Sequence, residues 1–259
     1  MAKSENAVAI LGGTGDLGYG LSLRWAKAGR DVIIGSRVAA KAEEAAQKVR
    51  ERLGGSGAVR GMANEAAVKE ADLVVLAVPF TAQIATINSV KKELQAGQVF
   101  VDCTVPLEAS VGGAPTRMLG IWSGSAAEQA TRYLPEGVQA LAAFHNVSAH
   151  GLQEIESRVD CDVIVCGDDA ASREKLRGWV EAIPDCKFVD GGKLENARIV
   201  ESITALLVGI NRRYKIPGSG IRFTGLDVKR AGEGRADGQA GGQAGGHGQS
   251  KPRGENPQK

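Results

Sequence analysis

AVAILGGTGDLG, residues 7–18, is the stretch of this 259-residue chain that decides its fold. The first five residues form an apolar run that is typical of a buried parallel strand. Glycines follow with the spacing Gly13-x-Gly15-x-x-Gly18, and a helical pattern of apolar residues begins at Asp16. A strand, a glycine-rich turn and a helix in this order predict a Rossmann-type unit that binds a dinucleotide.

Each glycine of this motif has its own physical role. Gly13 allows a tight turn, Gly15 lets the backbone approach a pyrophosphate, and Gly18 lets the helix pack closely against the strand. The free N–H groups at the start of the helix then face the phosphates. We therefore expect cofactor contacts from the turn and the first helical residues, which are Gly13, Thr14, Gly15, Asp16, Leu17 and Gly18.

The end of the second strand, 31–35, favours NADP over NAD. An NAD site places Asp or Glu about 20 residues after the motif, where the carboxylate binds the ribose 2′-hydroxyl. This chain has Ser36 and Arg37 at that point, with Lys41 one helical turn later. A hydroxyl and two cations suit a 2′-phosphate, which a carboxylate would repel. The alternative is that Arg37 and Lys41 are only solvated residues at the start of a helix.

Strands and helices alternate along the rest of the chain, which predicts an α/β fold with a doubly wound, mostly parallel sheet. Further strands are expected near 58–62, 71–78, 98–102, 138–144, 161–166 and 187–190, and helices near 16–28, 39–53, 81–94, 125–133, 172–183 and 193–214. The segment 106–124 is predicted to be a loop. We expect an NADP-binding domain at 1–150, a small C-terminal α/β part at 151–228 with a long terminal helix, and a disordered Gly/Gln-rich tail at 229–259.

Composition and charge narrow the classes of function. The net charge of +2 gives no reason to expect nucleic acid or a membrane as a partner. The four cysteines contain no C-x-x-C pair, so we expect no metal site and interpret them as small buried apolar residues. The N-terminus lacks the apolar core of a signal peptide, and no apolar run approaches the about 20 residues that span a bilayer. These features predict a cytoplasmic protein.

Two loops are placed to border a nicotinamide, because ligands of an open α/β sheet lie at the carboxyl ends of its strands. Val78, Pro79 and Phe80 follow the fourth strand, and Val105 follows the fifth. The alternative is that the prolines in these loops only end the strands.

Several motifs together make the chain resemble the NADPH-dependent coenzyme F420 reductase family, the F420:NADP oxidoreductases. They are ILGGTG at 10–15, VIIGSR at 32–37 with Lys41, VPF at 78–80, AFHNVS at 143–148, VCGDD at 165–169 and RIVESIT at 198–204. The resemblance covers residues 7–226. The first motif is shared by many dehydrogenases, whereas the combination of GGTG, GSR and ESIT is much more specific.

The resemblance implies hydride transfer between NADP(H) and coenzyme F420, an 8-hydroxy-5-deazaflavin. It implies that Thr14, Ser36, Arg37 and Lys41 hold the 2′-phosphate end of NADP and that Pro79 and Phe80 border the cofactor cleft. His145, Ser202 and Thr204 would line the deazaflavin pocket and form the catalytic set. The protein would mainly hold two rings about 3–3.5 Å apart and exclude water. His145 either hydrogen-bonds the deazaflavin or is a structural histidine after a strand.

Other interpretations stay open at this point. One is an NADPH-dependent flavin or ferric-flavin reductase with FMN or FAD as the acceptor, and another is a non-catalytic NADPH sensor whose tail binds a partner. Reductases of ketopantoate or pyrroline carboxylate carry a large helical C-terminal domain, and here a single long helix, 193–214, follows the last strand. This difference favours a flat-ring substrate and a homodimer that completes the pocket. His150 and the glycine-rich tail depart from the family pattern.

Overall fold

The computed structural model describes residues 4–226, which contain one eight-stranded sheet in the order β3-β2-β1-β4-β5-β6-β7-β8. The strands are β1 Ser4–Leu11, β2 Asp31–Ser36, β3 Val59–Ala63, β4 Ala71–Leu76, β5 Val99–Asp102, β6 Gln139–Ala142, β7 Cys161–Gly167 and β8 Cys186–Asp190. The helices are α1 Asp16–Lys27, α2 Ala39–Arg52, α3 Asn64–Ala67, α4 Gln83–Val90, α5 Ala126–Thr131, α6 Ala149–Gln153, α7 Ala170–Val180 and α8 Ala197–Tyr214. Short 3-10 helices occupy Phe80–Ala82, Glu108–Val111 and Leu194–Asn196.

The direction of the strands confirms the predicted α/β fold with a mostly parallel sheet. The pairings among β1 to β6 are all parallel. The pairing of β6 with β7 is antiparallel, and that of β7 with β8 is parallel. From β1 the chain builds outward to β2 and β3, and then returns to build β4, β5 and β6 on the other side. The strand order therefore reverses between β1 and β4, and the carboxyl ends of these strands mark the position where such sheets bind ligands.

Most predicted elements are present, with shifted ends. The predicted strand 138–144 is shorter, because sheet pairing ends at Ala142 and the chain turns at Phe144, which has a φ of 68°. The segment 106–124 is a loop except for the 3-10 helix Glu108–Val111. The short helices α3 and α6 have no counterpart in the sequence prediction.

The side chain of Trp25 fixes α1 to the C-terminal half of the sheet. Its ring is fully buried and meets the rings of Phe144 and Trp179 edge-on, at centroid distances of 5.7 and 5.4 Å. Its indole Nε1 donates a hydrogen bond of 2.8 Å to the Trp179 carbonyl. The helix that follows the glycine motif therefore packs against residues more than a hundred positions later in the chain.

Arg24 makes a second connection of this kind, to α6 and the residues that follow it. Its side chain is 2% exposed, and its guanidinium donates hydrogen bonds to the carbonyls of Gly151, Leu152, Glu154, Ile155 and Ser157. Buried arginines usually face carboxylates, whereas this one satisfies backbone carbonyls at the end of a short helix. A helix held in this way depends on a distant side chain, so local sequence gives little sign of it.

The described residues up to Phe223 form one compact unit, and Thr224–Leu226 belong to a second. The boundary predicted at residue 150 falls inside α6, and the chain on both sides of it contributes strands to the same sheet. The division into 1–150 and 151–228 therefore stays a prediction about which part binds each substrate. The predicted tail, 229–259, lies outside the described residues.

The four cysteines are free and buried, as expected from the sequence. Between residues 4 and 226, no helix combines the length and apolar character needed to cross a membrane. The same part of the chain has no group of three or more His, Cys, Asp or Glu side chains placed to hold a metal ion.

Candidate functional site

A cleft of ≈ 460 Å³ opens at the carboxyl ends of β1 and β4. It is lined by Gly12, Thr14, Gly15, Ser36, Arg37, Val38, Lys41, Asn64, Ala77, Val78, Pro79, Ala82 and Thr86. The structure thus brings together seven of the residues predicted for the cofactor, which are Thr14, Gly15, Ser36, Arg37, Lys41, Val78 and Pro79. Asp16 lines a neighbouring cavity of ≈ 330 Å³ together with Thr14, Gly15 and Lys41.

The three glycines of the motif differ in how much space the surrounding protein leaves for a side chain. A Cβ on Gly18 would lie 2.6 Å from the Gly12 carbonyl oxygen, and one on Gly13 would lie 2.8 Å from a methyl group of Ile34. A Cβ on Gly15 would meet nothing closer than 3.5 Å, and Gly15 is exposed to the cleft. Packing therefore explains Gly13 and Gly18, whereas the open side of Gly15 leaves space for a ligand to approach the backbone.

The first turn of α1 provides donors for such a ligand. Gly15 occupies the N-cap position, and no side chain caps the helix. The N–H groups of the first turn of a helix have no partner within the helix, and together with the helix dipole they attract an anion. Leu17 is half-buried and packs against the core, so its backbone rather than its side chain is available to a ligand.

The side chains of Arg37 and Lys41 are exposed at the edge of the cleft. Neither makes a side-chain hydrogen bond or an ion pair with another residue of the described part of the chain. Nearby cations on α2 behave differently, since Lys48 pairs with Glu44 at 2.7 Å and Arg50 pairs with Glu43 at 2.6 Å. Two adjacent unpaired cations beside an uncapped helix start suit a ligand with more than one phosphate group.

Asn64 is a cleft residue that the sequence reasoning missed. It begins α3 directly after β3, is 3% exposed, and its Oδ1 has no hydrogen-bond partner among the described residues. It lies beside Gly35, where a Cβ would come within 2.8 Å of that oxygen. A polar residue at the carboxyl end of a parallel strand is the signal that would have identified it.

A buried polar network lies behind the loops that follow β4 and β5. The fully buried Gln83 donates through Nε2 to an Asp102 carboxylate oxygen, to Thr104 Oγ1 at 2.9 Å and to the Ala126 carbonyl at 2.9 Å. Burial raises the pKa of Asp102 to about 6, although its hydrogen bonds from Thr104 and Gln83 act in the opposite direction. This network connects the loop after β4, which contains Phe80, with the loop after β5, which contains Val105, and with α5. Phe80 and Val105 are both half-buried.

His145 follows β6 and is 5% exposed. No hydrogen bond of good geometry reaches either ring nitrogen from residues 4–226, although the Thr104 backbone lies close enough to favour the protonated imidazole. Burial lowers the pKa of His145 to about 4, so the imidazole is neutral at physiological pH and carries one donor and one acceptor nitrogen. The preceding residue, Phe144, adopts a left-handed backbone conformation that costs free energy in a bulky residue.

Thr204 and Ser202 occupy different faces of α8. The Thr204 hydroxyl donates a hydrogen bond of 2.7 Å to the His145 carbonyl, so the structure brings these two predicted residues together. Ser202 is exposed, and its hydroxyl donates to the Arg198 carbonyl one turn earlier. Residues two apart on a helix project about 200° from each other, so Ser202 does not join Thr204 and His145 in one cluster.

Glu201 is a second residue that the sequence reasoning missed. It is 1% exposed, and its two carboxylate oxygens accept hydrogen bonds from the backbone N–H groups of Ala126 and Ala127 at 2.9 and 3.0 Å. Burial raises the pKa of Glu201 to about 8, and the backbone hydrogen bonds oppose the shift. A carboxylate on the inward face of a strongly amphipathic helix is the sequence signal for this contact.

Sequence comparison finds similarity to F420-dependent NADP reductases. The family model described as NADP oxidoreductase, coenzyme F420-dependent, matches residues 7–106. The F420-dependent NADP reductase of Methanothermobacter thermautotrophicus is 45% identical over 221 residues, which cover 85% of this chain and 95% of that protein. The F420-dependent NADP reductase of Methanocaldococcus jannaschii is 42% identical over 224 residues, covering 85% of this chain and 99% of that protein.

Solved structures share the fold. A crystal structure from Arthrobacter sp. FB24, assigned as an F420-dependent NADP reductase, has a TM-score of 0.71 at 24% identity and covers 83% of this chain and 98% of its own. The 3-hydroxyisobutyrate dehydrogenase of Mycobacterium tuberculosis has a TM-score of 0.52 at 17% identity, covering 76% of this chain and 57% of its own. At these identities the likeness concerns the fold alone.

Proposed function

The chain belongs to the F420-dependent NADP reductase family, and on that basis we propose which of its residues bind the two substrates. The protein is an NADP-dependent oxidoreductase that transfers a hydride between NADP(H) and coenzyme F420. When both are bound, the nicotinamide of NADPH supplies a hydride from C4 and the deazaflavin accepts it at C5. The relatives give no support to a flavin reductase or an NADPH sensor.

The NADP(H) site in this proposal is the cleft between the ends of β1 and β4. The backbone of Gly13, Thr14 and Gly15 and the first turn of α1, Asp16–Gly18, bind the pyrophosphate. Ser36, Arg37 and Lys41 bind the 2′-phosphate, with Thr14 close to them in the same cleft. The unpaired state of Arg37 and Lys41 supports this assignment, because neither cation has to give up an existing partner to bind phosphate.

The nicotinamide end of the site is assigned to the loops after β4 and β5. Val78 and Pro79 line the cleft, and Phe80 and Val105 lie in adjoining loops that the Gln83 network holds together. Catalysis of a direct hydride transfer consists mainly of holding the two reacting carbons at about 3–3.5 Å and excluding water. Loops held by a buried hydrogen-bond network keep the two rings in position better than loops that have only solvent around them.

We assign the acceptor side to His145, with Thr204 holding its backbone. A buried polar group without a partner costs about 1–3 kcal/mol, so a ring substrate that pairs with the imidazole recovers free energy on binding. The neutral imidazole has one donor and one acceptor nitrogen, and the nitrogen that does not face the Thr104 backbone can pair with a polar atom of the deazaflavin. Ser202, also assigned to this pocket from the family resemblance, faces away from His145 and would contact another part of the substrate.

The observation that carries the acceptor assignment is the buried His145 imidazole, which has the Thr104 backbone near it and no side-chain partner among the described residues. Steady-state kinetics of His145→Ala with NADPH and coenzyme F420 test it, with the exposed His150→Ala as the matched control. Loss of one buried hydrogen bond predicts a rise of about tenfold in the KM for F420, with the KM for NADPH changed less than about twofold. Unchanged kinetics of His145→Ala would rule out this role.

We also propose that the protein is a cytoplasmic homodimer that pairs through α8. Ile199 and Leu206 are 63% and 62% exposed, and they lie seven residues apart on the outward face of this helix, with Tyr214 at its end 69% exposed. A seven-residue apolar repeat is self-complementary and suits pairing with the same helix of a second copy. Light scattering of Leu206→Lys should give a monomer and the wild type a dimer, and two identical masses would contradict the proposal.

A further inference from the structure

The strongest feature left unexplained by these assignments is the buried carboxylate of Glu201. It precedes Ser202 in the ESIT motif, is 1% exposed, and faces inward on α8 together with Thr204, three residues later. We propose that Glu201 is a positioning residue that fixes α8 against α5 and thereby places Thr204 under the His145 backbone. This inference rests on the proposed function, because it assigns a role within the acceptor side of the same site.

The geometry of the contact requires two acceptors on one side chain. One oxygen of Glu201 accepts from Ala126 N at 2.9 Å and the other from Ala127 N at 3.0 Å. The side chain of Ser125 accepts from Glu128 N at 3.0 Å, so two side chains satisfy three N–H groups at the start of α5. A helix of six residues is marginal by itself, so α5 depends on this contact from α8.

The contact continues into the NADP side of the molecule. The Ala126 carbonyl accepts from Gln83, whose amide oxygen in turn accepts from Gln129 Nε2 at 2.8 Å. Gln83 also donates to Asp102 and Thr104 at the end of β5. An unbroken series of hydrogen bonds therefore links α8, α5, α4 and the end of β5.

Two anchors on the inward face of α8, together with the more exposed Arg198–Glu128 ion pair at 2.6 Å, hold the helix in place. Glu201 joins α8 to α5, and Thr204 joins it to the His145 carbonyl at 2.7 Å. If Glu201 is shortened, α8 keeps the Thr204 contact and the Arg198–Glu128 ion pair, but neither replaces the acceptors for Ala126 N and Ala127 N, so α5 can shift against α8. The expected effect falls on the acceptor side, because α8 does not line the cleft of Arg37 and Lys41.

The test compares Glu201→Ala and Glu201→Gln with Glu195→Gln, an exposed carboxyl shortly before α8. Glutamine keeps the shape of the side chain and one acceptor oxygen for the two N–H groups of Ala126 and Ala127. Its NH₂ group is a donor and therefore cannot accept from the second N–H. We expect a rise of about tenfold in the KM for F420 for Glu201→Ala, which loses both hydrogen bonds to α5, and of about threefold for Glu201→Gln, which loses one of them. The KM for NADPH should stay within about twofold in both variants, and Glu195→Gln should match the wild type.

The outcomes distinguish a positioning role of Glu201 from a purely structural one. A purely structural role would lower the thermal midpoint of Glu201→Ala and leave the KM for F420 unchanged, and that result would overturn the inference. Equal rises of both KM values would also overturn it. If Glu201→Ala does not fold, the KM of Glu201→Gln decides by the same criterion. Thr204→Val, measured in parallel, separates the two proposals, because an unchanged KM for F420 in that variant refutes the acceptor site itself.

Discussion

Replacing Arg37 by Asp reverses one of the two unpaired charges at the edge of the cleft. Arg37 is exposed and has no side-chain partner in the described part of the chain, so its replacement leaves no group of the protein uncompensated. The fold should be unaffected, and changes in binding can be attributed to the lost contact with the cofactor. NADPH carries the 2′-phosphate and NADH lacks it, which provides an internal comparison.

The expected loss of NADPH affinity in Arg37→Asp has two contributions. A hydrogen bond between a charged donor and phosphate contributes about 1.5–3 kcal/mol, which corresponds to about 10- to 100-fold in affinity. A carboxylate about 5 Å from the phosphate adds repulsion of about 1 kcal/mol at the high dielectric of an exposed site, or about fivefold. Arg37→Asp should therefore weaken NADPH by about 50- to 500-fold, whereas NADH should change less than about threefold.

The assay is the dissociation constant of each nucleotide, measured by calorimetry at low and at physiological salt. Lys175→Glu makes the same charge change at an exposed position of α7, outside the cleft, and should leave both constants unchanged. The weakening by Arg37→Asp should shrink at high salt, because exposed charges are screened. Equal weakening of NADPH and NADH would refute the assignment of Arg37 to the 2′-phosphate.

Further substitutions test other parts of the account. Gly18→Ala places a Cβ 2.6 Å from the Gly12 carbonyl and should weaken NADPH at least about tenfold by displacing α1, whereas Gly178→Ala, with no atom closer than 3.7 Å, should have no effect in the same titration. Arg24→Met leaves several carbonyls at α6 without their donor and should lower the free energy of unfolding by about 3–5 kcal/mol in urea, and a loss below 1 kcal/mol would contradict this role. The pKa of Glu201 is raised by burial to about 8, so the folded state binds its proton more tightly than the unfolded state and stability falls as pH rises towards 8. The melting temperature of the wild type should therefore drop between about pH 6.5 and 8 relative to that of Glu201→Gln. The negative charges of Asp102 and Glu128 act on the same carboxyl and raise its pKa further. Melting temperatures of the two proteins that change in parallel with pH would contradict this prediction.

Contiguous patterns predicted the strands and helices that form the cleft at the ends of β1 and β4. The strand, glycine turn and helix at 7–27 depend on neighbouring residues, so their spacing defines the element and its function together. The seven predicted cofactor residues that line one cleft come from three segments whose positions follow from the parallel sheet.

The proposed acceptor side consists of contacts between residues that are distant in the sequence, which local patterns do not show. Helix α6 has five residues with a glycine among them, and Arg24, over a hundred residues away, holds it in place. The family resemblance placed Ser202 and Thr204 in one pocket, yet helix geometry separates their side chains. The buried carboxyl of this motif is Glu201, which contacts α5. The antiparallel pairing of β6 with β7 likewise follows from the path of the chain after β6 and not from a local pattern.

The most direct test of the central claim follows the hydride itself. Purified protein is incubated with NADPH that carries deuterium at both C4 positions and with coenzyme F420, and the reduced deazaflavin is examined by mass spectrometry and NMR. Direct transfer predicts one deuterium at C5 of the deazaflavin, and none when NADPH is unlabelled and the solvent is D₂O. Deuterium at C5 that comes from the solvent, or no reduction of F420 while FMN or FAD is reduced, would contradict the account.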